Sequence, residues 1–113
     1  MENLIKKVRE FRQERDWGQY HSPKNLVMAL MVEAGELAEH FQWLTQEQSS
    51  SLPPDKLEEV REEIGDVLIY LANLCDRLGI DPMAAAFEKL EKNRERYPAA
   101  KVLGKYWKFN EYK

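Results

Sequence analysis

Apolar side chains recur every three or four positions through most of this chain, a spacing that predicts helices from one end to the other. Leu4, Val8 and Phe11 form the stripe of a first helix over 3–16, bounded by Trp17-Gly18. Ser22 then stands before Pro23. Serine caps free backbone N–H groups, and proline suits the first helical position because its missing N–H would be unsatisfied there anyway. A second helix is therefore predicted from Pro23 to Leu44, with Leu26, Leu30, Leu37, Phe41 and Leu44 inward. The stretch TQEQSSSLPP has no period and reads as a linker. A third helix opens at Pro54 or Asp55, stops at Gly79, and turns Leu57, Val60, Ile64, Val67, Leu68, Leu71, Cys75 and Leu78 inward. Asp81-Pro82 repeats the cap-plus-proline signal and begins a fourth helix over 82–97, with Met83, Phe87 and Leu90 inward. Pro98 ends it, and no β-pattern longer than a few residues occurs.

Four amphipathic helices imply an all-α, four-helix bundle-like subunit. At 113 residues the chain suits one domain, 1–113, with 98–113 as an aromatic and basic tail. So short a chain buries a limited core, and completion of the bundle by oligomerisation is expected. The lone cysteine, Cys75, excludes an internal disulfide framework and any multi-cysteine zinc site, and it lies in the apolar stripe. The opening residues are charged throughout, with no secretory apolar region, and no apolar run is long enough to span a bilayer. The expected setting is cytoplasmic.

Charge refines this picture. The formal net charge of −3 gives no general attraction to nucleic acid or anionic membrane. It is unevenly spread: residues 1–32 carry +2, residues 33–66 carry −8 and residues 67–113 carry +3. Within the acidic segment, Glu33 and Glu36 are spaced i,i+3 on the second helix, and Glu63 and Asp66 repeat that spacing on the third. At about 100° per residue each pair lies on the rim of its helix's apolar stripe, not opposite it. Packed antiparallel, the two helices would bring four carboxylates together. Without basic partners these would repel, and a divalent cation relieves that repulsion. Hard oxygen ligands, with no histidine or thiol in either pair, suit Mg²⁺ or Mn²⁺. A di-iron bundle needs Glu-x-x-His at i,i+3, whereas Glu36 and His40 are i,i+4. Surface acids on charged helices produce the same spacing. Gly35 and Gly65, one inside each pair, open two readings: close approach of a ligand, or plain helix packing.

Four runs, RDWGQYHSPKNL (15–26), EAGELAEHFQW (33–43), EEIGDVLIYL (62–71) and KLEKNRERY (89–97), resemble the all-α nucleoside triphosphate pyrophosphohydrolases. The resemblance is strongest to the MazG-like, dCTP pyrophosphatase branch and covers about residues 5–98. It implies Mg²⁺-dependent hydrolysis of a nucleoside triphosphate to the monophosphate and pyrophosphate, by a homodimer or homotetramer of helical subunits. Carried over by position, Glu33, Glu36, Glu63 and Asp66 match the metal-binding acids. Trp17, His21 and Trp43 match residues near the nucleotide. Lys89 and Asn93 match polar residues that face the phosphates or sugar, with Tyr97 a further substrate-binding match and Arg94 a further candidate in the same run.

The residue types suit that chemistry. Carboxylate-held Mg²⁺ bridges phosphate oxygens and acidifies a bound water. Lys89 can stabilise developing charge. Glu62 and Glu39 are both candidates to position or deprotonate the attacking water. Trp17 and Trp43 fit base stacking or simple packing, and His21 fits substrate contact or a bonded turn. Tyr70 and Asn73 extend the Glu63–Asp66 face, toward a pocket or across a subunit contact. The expected substrate is dCTP or a related pyrimidine nucleotide. A dUTP-directed or phosphoribosyl-ATP-type pyrophosphohydrolase, and a non-catalytic helical interaction domain, are the alternatives.

Overall fold

Three prolines at first helical positions and three capping side chains mark where the helices begin. In a computed structural model that describes residues 1–104, all regular structure is helical. The elements are α1 (Glu2–Glu14), α2 (Pro23–Glu39), α3 (Gln46–Ser49), α4 (Pro54–Leu78), α5 (Pro82–Arg96) and α6 (Ala99–Val102). Ser22 Oγ accepts from the Asn25 N–H at 3.2 Å, and Asp81 accepts from the N–H groups of Met83 and Ala84. Gly79 ends α4 in the left-handed region, at φ +67°.

The described residues fall into two compact units, Met1–Ile80 and the segment from Asp81 onward. In the first unit α4 is the central rod, with α2 and α1 packed on it. Val8, Leu26, Val60, Ala72 and Cys75 are its buried apolar residues. Leu26 is 1% exposed, a burial that contributes about 2 kcal/mol. A polar tie joins α1 to α4. The Arg9 guanidinium grips Asp76 through both Nε and Nη2, and Arg12 Nη2 donates to Asp76 Oδ2 at 2.9 Å. These arginines hold the Asp76 carboxyl below its ordinary pKa, Arg9 contributing most and partial burial opposing.

Three expectations change. The second helix ends at Glu39, because residues 41–44 tighten into turns: Phe41 N–H bonds to Ala38 O, and Leu44 N–H to Phe41 O. The expected linker contains α3, held by a reciprocal capping box between Thr45 and Gln48. The apolar stripes are also only partly covered. Leu57, Ile64 and Leu78 on α4 are 55%, 45% and 50% exposed, since α1 and α2 leave part of this 25-residue helix's apolar stripe uncovered. In the second unit Met83, Phe87 and Leu90 on α5 are likewise exposed. The tail contains the short α6, and its last residues, 105–113, lie outside the described residues.

Candidate functional site

The α2–α4 contact decides where the acidic pairs go. Glu33 and Glu36 project from α2 and Glu63 from α4, and one carboxylate oxygen of each lies within 4.8 Å of the other two. All three are half-buried. Oε2 of Glu33 and Oε2 of Glu63 are buried without a hydrogen-bond partner. Anions placed this way repel, and the two buried oxygens lack the solvent that would otherwise stabilise their charge. The Glu33 carboxyl accordingly has its pKa pushed up to about 7, first by burial, then by hydrogen bonding with Glu63 and Glu36 and by the charges of Glu36 and Asp66. A proton on Glu33 lets one carboxyl donate to another. A cation would serve all three at once.

Asp66 is exposed and stands outside this group of three, although its charge acts on Glu33. The donor set fits a hard divalent ion: three carboxylates, two orphaned acceptors, and no histidine or thiol in the group. His40 turns toward Glu59 instead, with Nδ1 3.8 Å from Oε2. A Cβ built on Gly35 or Gly65 meets nothing within 4 Å, so neither glycine is demanded by a close neighbour among the described residues. Glu39 and Glu62 are both exposed.

The aromatic candidates separate. Trp43 is 87% exposed and packs into no core. Trp17 is half-exposed, lies edge-on to Phe11 at 5.7 Å between ring centroids, and lies edge-on to His21 at 6.2 Å. His21 is half-buried, and its Nδ1 is 2.9 Å from Nδ2 of Asn73. Asn73 therefore makes its contact within its own chain. Tyr70 is half-buried on the same helix.

In the second unit, Lys89, Asn93 and Tyr97 follow at i, i+4 and i+8 along and just beyond α5, and the Tyr97 N–H bonds to Asn93 O at 2.8 Å. Lys89 is exposed, and Asn93 and Tyr97 are half-buried. Arg94 is drawn to Glu91 at 3.0 Å on its own helix.

A sequence profile of the MazG-like family matches residues 28–111. The chain belongs to the MazG-like family. That match takes in both acidic pairs, Trp43 and the α5 residues. The mouse protein dCTP pyrophosphatase 1 is 41% identical over 113 residues, covering 98% of this chain and 66% of its own length. The human protein of the same name is 44% identical over 101 residues, covering 88% of this chain and 59% of its own length. This MazG-like chain thus spans about two-thirds or less of the length of these two relatives. Its fold is similar to the crystal structure of a pyrophosphatase from Archaeoglobus fulgidus, with a TM-score of 0.81 and 45% identity over 87% of this chain and 92% of that one.

Sequence reasoning missed Arg12, Asp76 and Arg77. Arg12 is 6% exposed and donates to Oδ1 of Asn73, yet on a helix as charged as α1 nothing local sets it apart.

Proposed function

We propose that this MazG-like protein hydrolyses a nucleoside triphosphate at the α–β phosphoanhydride, releasing pyrophosphate and the monophosphate. The observation that carries the reading is the Glu33–Glu36–Glu63 cluster with its two orphaned buried oxygens, in a chain whose relatives are named dCTP pyrophosphatase. Those names support dCTP or a related pyrimidine nucleotide as substrate. The family match runs through both compact units, which supports treating 1–113 as one functional domain.

Glu33, Glu36 and Glu63, with Asp66 at the rim, would hold Mg²⁺, or Mn²⁺ in its place. Bound there, the ion supplies charge neutralisation at the phosphates and acidifies a water. The remaining work falls to side chains. Glu39 or Glu62 orients the attacking water through its carboxylate. Lys89 offsets charge developing on the phosphates, with Asn93 one turn further along α5 and Tyr97 at its C-cap as further substrate contacts. Trp43 and Trp17 offer ring faces for the base, and His21 offers a polar edge beside Trp17.

No described helix is long and apolar enough to cross a membrane, and we place the activity in the cytoplasm, on free nucleotides and not on nucleic acid. Exposed Met28, Met31 and Val32 on α2, with Leu57 and Ile64 on α4, support assembly as a homodimer or homotetramer.

Pyrophosphate release from a panel of ribo- and deoxynucleoside triphosphates, with and without Mg²⁺ or Mn²⁺, tests the proposal. Metal-dependent turnover preferring a pyrimidine supports it. No turnover on any nucleotide refutes it.

A further inference from the structure

Asn73 is a polar side chain in the interior, only 3% exposed, and none of the chemistry above uses it. Its amide is engaged on both sides. Arg12 Nη1 donates to its oxygen, and its nitrogen lies 2.9 Å from His21 Nδ1. The first contact determines the second. A guanidinium can only donate, so the amide oxygen has to face Arg12. The NH2 is then turned toward the imidazole, where it requires a ring nitrogen carrying a lone pair. Reversing the amide would set NH2 against guanidinium and lose the Arg12 bond.

We propose that Arg12 and Asn73 are positioning residues that hold His21 as its neutral Nε2–H tautomer, so that the ring offers one hydrogen-bond donor to a carbonyl or ring-nitrogen acceptor of a pyrimidine base. The contact with a base rests on the function proposed above; the tautomer does not.

The anchor is rigid. Arg12 is buried and fixed by Asp76, while Arg77 Nε donates to His21 O at 3.2 Å and its Nη2 to Gly18 O at 3.1 Å. The turn before α2 is thereby tied to α4 through backbone and ring together. The charged groups around the ring favour the same state. Burial, then the charges of Arg12 and Arg77, hold the His21 pKa below its ordinary value, and Asp76 is spent on Arg9 and Arg12. Trp17 lies beside the ring in a T-shaped contact, 6.2 Å between centroids. A histidine kept neutral, with one nitrogen already committed, can present only Nε2–H to a ligand.

The test is ¹⁵N NMR of the imidazoles in the nucleotide-free, full-length protein. There are two histidines, and His21→Gln assigns the signals by removing one set. The expected His21 pattern is an unprotonated Nδ1 and a protonated Nε2, unchanged from mildly alkaline to mildly acidic pH. A protonated Nδ1 in the wild type overturns the proposal. Asn73→Asp keeps the shape and the acceptor for Arg12 but removes the donor to the ring. It should move the proton to Nδ1, raise the His21 pKa and raise KM by about tenfold with kcat little changed. In a His21→Gln background the same change should add less than about threefold. An Asn73→Asp protein whose Nδ1 stays unprotonated overturns the proposal. If that variant does not fold, the wild-type spectrum alone decides. Ring signals as expected, with no turnover on any nucleotide, would sink the enzymatic reading and leave the tautomer assignment standing.

Discussion

Glu33 on α2 and Glu63 on α4 each turn one buried carboxylate oxygen into the same small space, and neither oxygen has a hydrogen-bond partner. Two packed helices thus hold an arrangement that disfavours full ionisation. Without a cation, Glu33 keeps its proton until pH rises through about 7.

Replacing one of these acids should separate stability from activity. Glu33→Gln removes the repulsion while keeping the side-chain shape, so the metal-free melting temperature at neutral pH should rise by about 2–6 °C. Metal-dependent pyrophosphate release should fall by more than the roughly 10–100-fold that loss of a ligand-orienting residue costs. Calorimetry and a nucleotide assay on the same preparation check both. Unchanged turnover would remove Glu33 from the metal site.

The pH dependence follows from the same carboxyl. Its pKa is about 7 in the folded chain against an ordinary value of 4.5, so between those values the metal-free folded state binds a proton that the unfolded state has lost. Stability from this group is fully present below 4.5 and is lost as pH rises through about 7. Mg²⁺ competes with that proton, so its affinity should climb over the same range and its binding should release protons. Thermal melts from pH 5 to 8 with and without Mg²⁺, and titration calorimetry in two buffers, measure these effects.

Asp76 should behave in the opposite sense. Its pKa is held below its ordinary value, so its contribution is present above that value and is lost as pH falls through the lowered one. Among the described residues, Asp76→Ala leaves the buried Arg12 side chain its Asn73 bond alone, and should destabilise by about 3 kcal/mol in urea unfolding.

The two tryptophans should respond differently. Trp43 is almost fully exposed, so Trp43→Ala should leave the unfolding midpoint within about 0.5 kcal/mol while raising KM. Trp17 packs on Phe11 and His21, so Trp17→Ala should lower stability as well as nucleotide affinity. Equal stability losses would place Trp43 in a packed interface instead.

Much of this was legible in the sequence, for local reasons. Ser22-Pro23, Asp81-Pro82 and Gly79 act on the backbone within a few residues, and they set helix ends where expected. The acid pairs were visible because i,i+3 spacing on a helix fixes a face. The four-residue α3 was too short to show a period, although Thr45 and Gln48 carried its capping signature. The Arg12–Asn73–His21 contacts join residues 61 and 52 positions apart and leave no trace in local spacing. The stripes on α4 and α5 reveal which side is apolar but not how much of it a single subunit covers. For that reason Leu57 and Phe87 were expected inside and are exposed.

A single uninterrupted helix, α4, carries Glu63 of the acidic cluster and Asn73 behind the imidazole. Ten residues of α-helix separate them, about 15 Å along the axis. In the proposed function, cation and nucleobase are therefore gauged against one ruler that cannot stretch. Inserting one residue between these positions would swing one end by about 100° relative to the other. Bond-breaking and base selection would then come apart together, with every contacting side chain still present.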